Sequence, residues 1–223
     1  RGAWEINLAL TLTLLGILYF LFSLKNKKLL VLSAVFFALT FLAYQGAKLS
    51  TGIVVLILLL LYRRELFRFK VRDFVLPVVA GLIISLPIIL SLFTGKTGRL
   101  TVFSVFSYPR PQEYLQTFLD QGKEQVGYIS YYLYHSESYN FLRGVLGRYF
   151  NHFSGRFLFF EGDWQNPRHT APNHGQFLVI DIVLMVLGII SIVKKGWSKG
   201  NTFIILWCLL APLSAALSRD QVH

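Results

Sequence analysis

The chain has 223 residues, of which 54% are hydrophobic and only 15% are charged, and its mean hydropathy is +0.54. An ordinary soluble domain is about 45–50% apolar and about 25% charged, so this composition excludes a typical soluble globule. It also excludes intrinsic disorder, which requires low hydrophobicity. The apolar residues come in long blocks that short basic clusters separate. This pattern predicts an all-α, multi-pass membrane protein.

Six apolar stretches meet or approach the roughly 20 residues that a membrane-spanning helix needs. In chain order, the predicted spans are 4–24, 29–44, 49–62, 74–93, 176–193 and 202–217. The fourth contains Pro77 and Pro87, which a membrane helix tolerates when its neighbours satisfy the freed backbone groups. The chain therefore divides into four spans (1–93), a long loop (94–175) and two further spans (176–223).

The basic residues predict the orientation of this bundle. The loops after the first, third and fifth spans carry three, five and three Lys or Arg residues, whereas the connection after the second span carries only Lys48. By the positive-inside rule, the three basic loops face the cytoplasm and the long loop faces outside. The net charge of +11 is then mainly a topology signal with an attraction to anionic lipids. Membrane lipids are expected partners, and nucleic acid is not.

The long outer loop is predicted to contain two helices, over 113–134 and 138–153. In the second, apolar residues recur on one helical face. This face carries Phe141, Leu142, Val145, Leu146, Tyr149, Phe150 and Phe153. It either lies in the membrane interface or packs against the protein's own spans, and the sequence leaves both interpretations open.

Several polar residues are expected near the outer membrane face. Glu5 and Lys48 either mark span ends, with Lys48 as a snorkelling cation, or belong to a site. Asp181 lies about five residues inside a predicted span, where an ionisable group is costly, so a paired or functional role is favoured. Arg168 and His169 beside Asp163 suit an anionic ligand. The spacing of the histidines matches no compact motif, so no metal site is predicted.

Four segments, taken together, resemble a known family. They are RGAWEINLAL (1–10), YQGAK (44–48), the stretch from His152 to His169 with HFS, FLFFEGD and RH, and LSRDQVH (217–223). In this order they are similar to bacterial and archaeal membrane glycosyltransferases of the dolichyl-phosphate-mannose protein mannosyltransferase type, glycosyltransferase family 39. The resemblance covers essentially the whole chain.

The resemblance implies a GT-C fold in a prokaryotic cell membrane, with the active face outside. It implies transfer of a sugar from a polyprenyl-phosphate donor to an acceptor protein or glycolipid. Lys48 would contact the donor phosphate. The outer cavity would be lined by Asp163, Arg168, His169, Arg219 and Asp220, with Glu5 nearby. The catalytic Asp or Glu is expected upstream of Arg1, so the chain is expected to be an internal fragment. No cofactor is implied beyond a possible divalent cation.

Two other function classes remain open on the sequence alone. A secondary transporter often has paired broken helices, and the short runs around Lys48 could form one such pair, although no matching second pair is found. The other alternative is a non-catalytic polytopic membrane protein or a different GT-C-like transferase. Uptake of a labelled solute into vesicles would distinguish transport from transfer.

Overall fold

The computed structural model describes residues 3–44, 46–93, 110–123, 125–164, 171 and 173–217. Within these residues every regular element is helical, which confirms the predicted all-α class for this part of the chain. The helices fall into two compact units, which are described in turn. The first contains residues up to Thr97 together with Trp197–Ala211, and the second contains Gly98–Gly196 and the residues from Pro212 onward.

The first unit is a bundle of long apolar helices. Its elements are α1 (Ala3–Ser23), α2 (Leu30–Ala43), α3 (Ala47–Leu61), the short α4 (Arg63–Leu66), α5 (Val71–Phe93) and α9 (Lys199–Leu210). Helix α1 packs along α2, α2 packs along α5, and α3 contacts α9. Its core is a cluster of buried aliphatic and aromatic side chains that includes Phe20, Phe37, Leu58 and Phe203.

Three helical stretches among the described residues are long and apolar enough to cross a membrane, against six predicted spans. They are Glu5–Ser23, Val71–Ser91 and Lys199–Ala216, and Ala47–Leu61 is apolar but shorter. Helix α5 runs unbroken through both of its prolines, as predicted. Most of its side chains are exposed, including Leu76 and Ile83. An apolar surface of this extent is typical of a helix that contacts lipid.

Small and hydroxylated residues join the helices of this unit. The ring of Phe37 lies so close to Gly16 that a Cβ there would be 2.7 Å from the ring, so glycine permits this approach of α1 and α2. At the same crossing, the Ser33 hydroxyl donates to the Gly16 carbonyl at 2.8 Å. The buried hydroxyls of Thr40 and Thr51 are 2.9 Å apart, which connects α2 to α3. Such contacts hold membrane helices together, where apolar burial gives no preference for protein over lipid.

The second unit contains shorter helices and two single-turn π-helices. In chain order these are α6 (Gln112–Gly122), a π-turn (Tyr131–His135), α7 (Glu137–Asn151), a second π-turn (Arg156–Phe160), α8 (Asp181–Lys195) and α10 (Leu213–Ala216). Helix α7 confirms the helix predicted over 138–153. Its N-cap is Ser136, whose hydroxyl accepts a hydrogen bond from the Tyr139 amide.

The helix predicted over 113–134 is wrong in its second half. Helix α6 ends at Gly122, and the next residue, Lys123, has a φ of +50°, which is the left-handed conformation that commonly terminates helices. Helical structure resumes only at Ile129, directly before the first π-turn. The glycine was the available sequence signal, since a Gly near a helix end is a frequent stop.

The fifth predicted span also begins at a different residue. Helix α8 starts at Asp181 rather than at residue 176, because the Asp181 carboxylate accepts the Leu178 amide at 2.9 Å and so organises the turn before the helix. The amides of Gln176 and Phe177 donate instead to the carbonyls of Phe157 and Leu158. Asp181 is therefore a helix-start residue whose carboxylate is paired with a backbone amide, and it does not lie about five residues inside the helix as predicted. A functional role for Asp181 stays a prediction.

Candidate functional site

The predicted site residues fall in both units and partly outside the described residues. Glu5 and Lys48 belong to the first unit, and Asp163 belongs to the second. The other four predicted residues, Arg168, His169, Arg219 and Asp220, lie outside the described residues. The geometry is accordingly given for each unit separately.

In the first unit, Glu5 and Lys48 lie at the same end of the bundle. Glu5 is exposed in the first turn of α1, and Lys48 is half-buried in the first turn of α3. The short connection 24–29 joins α1 to α2, and the two helices pack along each other, so the start of α1 and the end of α2 share one end. Helix α3 follows α2 directly, which places Lys48 there too.

In the second unit, the segment that carries the FFEGD motif forms a polar corner after α7. Asp163 is buried there, with 3% of its surface exposed. Glu161 accepts a hydrogen bond from Nε of Arg156 at 2.7 Å, and Nη2 of Arg156 lies 2.6 Å from the same carboxylate oxygen as an ion pair. The guanidinium of Arg156 also lies 4.2 Å from the ring centroid of Trp164, a cation–π contact. Glu161 and Trp164 thus hold the turn that contains Asp163.

The residues just before α8 close one side of this corner. The two backbone hydrogen bonds from Gln176 and Phe177 place residues 175–177 against the second π-turn. A Cβ at Gly175 would clash with backbone atoms of Phe159, so no other residue fits without moving the backbone. The glycine at position 175 is therefore required for a steric reason.

The inner face of α7 carries two polar side chains one turn apart. Arg148 donates from Nε to the carbonyl of Ala216, at the end of α10, at 2.8 Å. His152 is buried, with Nδ1 2.7 Å from the carbonyl of Arg148 and its ring 5.0 Å from that of Phe157. Burial lowers the pKa of the Arg148 guanidinium, because removing a cation from water disfavours its charged form.

The outer face of α7 is apolar. Leu142, Leu146, Phe150 and Phe153 repeat every three or four residues and are exposed, Phe150 by 64%. The helix therefore turns part of its predicted apolar face outward and turns Arg148 and His152 inward. This arrangement is the reverse of a helix in a water-soluble protein, where the apolar face is buried.

Sequence reasoning missed two arginine contacts in this unit. The first is Arg148 with the Ala216 carbonyl, which the polar side of the α7 pattern could have suggested. The second is Arg110, which donates from Nε to Glu137 at 2.7 Å and from Nη2 to the His135 carbonyl at 2.6 Å. No local pattern signals that pair, because its members are 27 residues apart.

The described residues provide cations, a buried carboxylate and a buried imidazole, but among them no group of three or more His, Cys, Asp or Glu side chains could hold a metal ion. No family model, curated protein or solved structure matches this chain.

Proposed function

We propose that this chain is part of an integral membrane glycosyltransferase that moves a sugar from a polyprenyl-phosphate donor to a protein or glycolipid acceptor at the outer membrane face. The observation that carries the proposal is the burial of Asp163. This carboxylate is only 3% exposed and lies in the segment with the most extended part of the family resemblance, which assigns it to the wall of the outer cavity.

The chemistry of such a transfer requires groups of the kinds found here. The leaving lipid phosphate must be stabilised by cations, for which Lys48, Arg168 and Arg219 are the candidates. A base must accept the proton of the acceptor hydroxyl, and the family resemblance assigns this base to a carboxylate upstream of Arg1. Asp163, His169, Asp220 and Glu5 would then position substrate.

The membrane arrangement in this proposal is a GT-C bundle with six spans. Helices α2, α3 and α8 have 14, 15 and 15 residues, so they measure about 21–23 Å at 1.5 Å per residue. This is less than the hydrocarbon thickness of about 30 Å. Flanking apolar residues and local thinning of the bilayer would make up the difference. The outer face of α7 would lie in the interface on the outer side.

The experiment uses membrane vesicles that contain the protein expressed from the complete reading frame encoding this chain. A panel of radiolabelled polyprenyl-phosphate hexoses and pentoses is supplied, and the label leaving the lipid donor is measured. We expect Lys48→Ala to lower the transfer rate about 100-fold, as removal of one group that stabilises developing charge does. Lys48→Arg should retain most of the rate, because it keeps the charge.

The matched control is Lys28→Ala, which removes an exposed lysine from the connection at the other end of α2 and should leave the rate unchanged. Equal rates for Lys48→Ala and the unmodified protein would remove Lys48 from the site. If no donor in the panel is consumed, the transferase proposal is wrong. Accumulation of intact label inside the vesicles would identify a transporter instead.

A further inference from the structure

The end of the first unit opposite Lys48 brings three basic segments together. Lys27, in the connection between α1 and α2, pairs with Asp73 at 2.9 Å. Lys199, at the start of α9, pairs with Glu65 in α4. Glu65 in α4 and Asp73 in the first turn of α5 are thus each matched by a lysine from another part of the chain.

These two pairs leave an excess of positive charge on the same surface. Five cations between residues 63 and 72 are exposed and form no ion pair among the described residues: Arg63, Arg64, Arg68, Lys70 and Arg72. Arg68 and Arg72 act on Glu65 and Asp73 only through their longer-range charge. The exposed Lys25 and Lys28 belong to the neighbouring connection. A cationic surface of this kind attracts anionic headgroups, with about 1 kcal/mol for each basic residue near the bilayer surface.

An open apolar cleft lies within this cationic surface. It has a volume of about 390 Å³ and is lined by Leu59, Leu66, Phe67, Phe69, Val71 and Phe74, with Arg63 as its charged member. Phe67 and Val71 are 85% and 84% exposed. These exposed apolar side chains lie next to arginines that are in no ion pair. The arginines would bind an anion, and the apolar side chains would contact a hydrocarbon chain.

We propose that this cleft binds one anionic phospholipid of the adjacent bilayer leaflet, with its phosphate at Arg63 and an acyl chain along Phe67, Val71 and Phe74. A phospholipid fits because it combines an anion and a hydrocarbon chain in one molecule. The cleft also lies where α5, an apolar helix of membrane length, begins. A soluble anion would use the charge but leave the apolar lining exposed to water.

This site is separate from the proposed transfer reaction, although it rests on the membrane part of the proposed function. Lys48 and Leu59 lie near opposite ends of α3, eleven residues and so about 16 Å apart along the helix axis. Loss of lipid binding at Arg63 and loss of sugar transfer at Lys48 are therefore independent results. Either can fail without the other.

The test is native mass spectrometry of the purified, delipidated protein in detergent, titrated with phosphatidylglycerol or with phosphatidylcholine. We expect one phosphatidylglycerol to bind several-fold more tightly than any phosphatidylcholine. Arg63→Gln should weaken phosphatidylglycerol binding about tenfold, the effect of removing one direct charge-assisted contact with the phosphate. Phe67→Ser, at an exposed position that leaves the core intact, should weaken binding of both lipids.

Arg64→Gln is the matched control, because it removes the same charge from the adjacent residue, which does not line the cleft. It should change phosphatidylglycerol binding less than twofold. Equal losses in the two arginine variants would mean that a diffuse field holds the lipid, and this would overturn the cleft. Equal affinity for the two lipids, or displacement of phosphatidylglycerol by free glycerol phosphate at matched concentration, would also overturn it.

Discussion

The hydrogen bonds inside the first unit differ in kind from the hydrogen bonds inside the second unit. In the first unit, the buried polar groups are neutral hydroxyls, such as Ser33 with the Gly16 carbonyl and Thr40 with Thr51. In the second unit, charged side chains reach across elements, as in Arg148 with the Ala216 carbonyl and Arg110 with Glu137. Neutral bonds cost little to bury, whereas charged bonds are stronger and leave a larger penalty when broken.

This difference indicates where specific chemistry is concentrated. A hydroxyl between two helices can form a hydrogen bond with any neighbouring backbone carbonyl or hydroxyl, and it needs no oppositely charged partner. A buried or partly buried arginine, histidine or carboxylate needs a specific partner, and the second unit contains the partly buried Arg148 and the buried His152 and Asp163. The contrast predicts an order of energetic effects, from the charged contacts to the neutral pair and then to the exposed ion pairs.

The largest loss of stability is expected from Arg148→Met, which tests whether a charged contact of the second unit contributes more than the hydroxyl contacts of the first unit. It removes a charge-assisted bond to the Ala216 carbonyl, and such bonds contribute about 1.5–3 kcal/mol to the free energy of unfolding. Thermal unfolding in detergent, followed by helical ellipticity, measures the loss. Arg143→Met on the exposed side of the same helix should change stability by less than about 0.5 kcal/mol. If Arg148→Met lowers the free energy of unfolding less than the threonine substitutions described next, the proposed difference between the two units is wrong.

A smaller effect is expected from the threonine pair. The Thr40 hydroxyl donates to the Phe37 carbonyl, so Thr51 is the donor between the two hydroxyls. Thr40→Val and Thr51→Val should each cost about 1 kcal/mol, with a coupling of about 0.6 kcal/mol in a double-mutant cycle. Thr11→Val removes an exposed bond within α1 and should have almost no effect. Strictly additive losses would show that the two hydroxyls do not interact.

The smallest effect is expected from the exposed pair of Glu65 and Lys199. The hydrogen bond from Lys199 holds the pKa of Glu65 below its ordinary value. The pair's stabilisation is therefore present above the ordinary pKa of Glu65 and is lost as the pH falls through the lowered folded pKa. When the pH is lowered from 7 to 3, the thermal unfolding midpoint should decrease slightly less in Glu65→Gln and in Lys199→Met than in the unmodified protein. A large difference would contradict the weakness expected of an exposed pair.

The sequence predicts the helices of the first unit well, because apolar length and basic turns define them almost alone. The predicted stretches 29–44 and 49–62 correspond closely to α2 (Leu30–Ala43) and α3 (Ala47–Leu61). Helix α7 is equally predictable, since its apolar repeat is local. The number of helices long enough to cross a membrane is less predictable, because a turn residue such as Asp181 shortens a segment whose composition alone is apolar.

The candidate site is predictable only in part. Asp163 is buried in a segment where Gly175 approaches Phe159 and where Arg156 contacts Glu161 and Trp164. The approach of Gly175 joins residues 16 positions apart, and hydrophobic periodicity carries no information about such contacts. Residue type did identify Asp163 as a candidate, but its depth of burial required the fold.

The outward-facing side of α7 has a practical consequence for handling the protein. A polypeptide limited to the region between α5 and α8 would place Leu142, Leu146, Phe150 and Phe153 in water, where copies would associate through these residues. We therefore do not expect the region to stay soluble when it is separated from the rest of the chain, even though its described residues contain no helix long enough to cross a bilayer. Detergent or lipid must accompany it at every stage of purification.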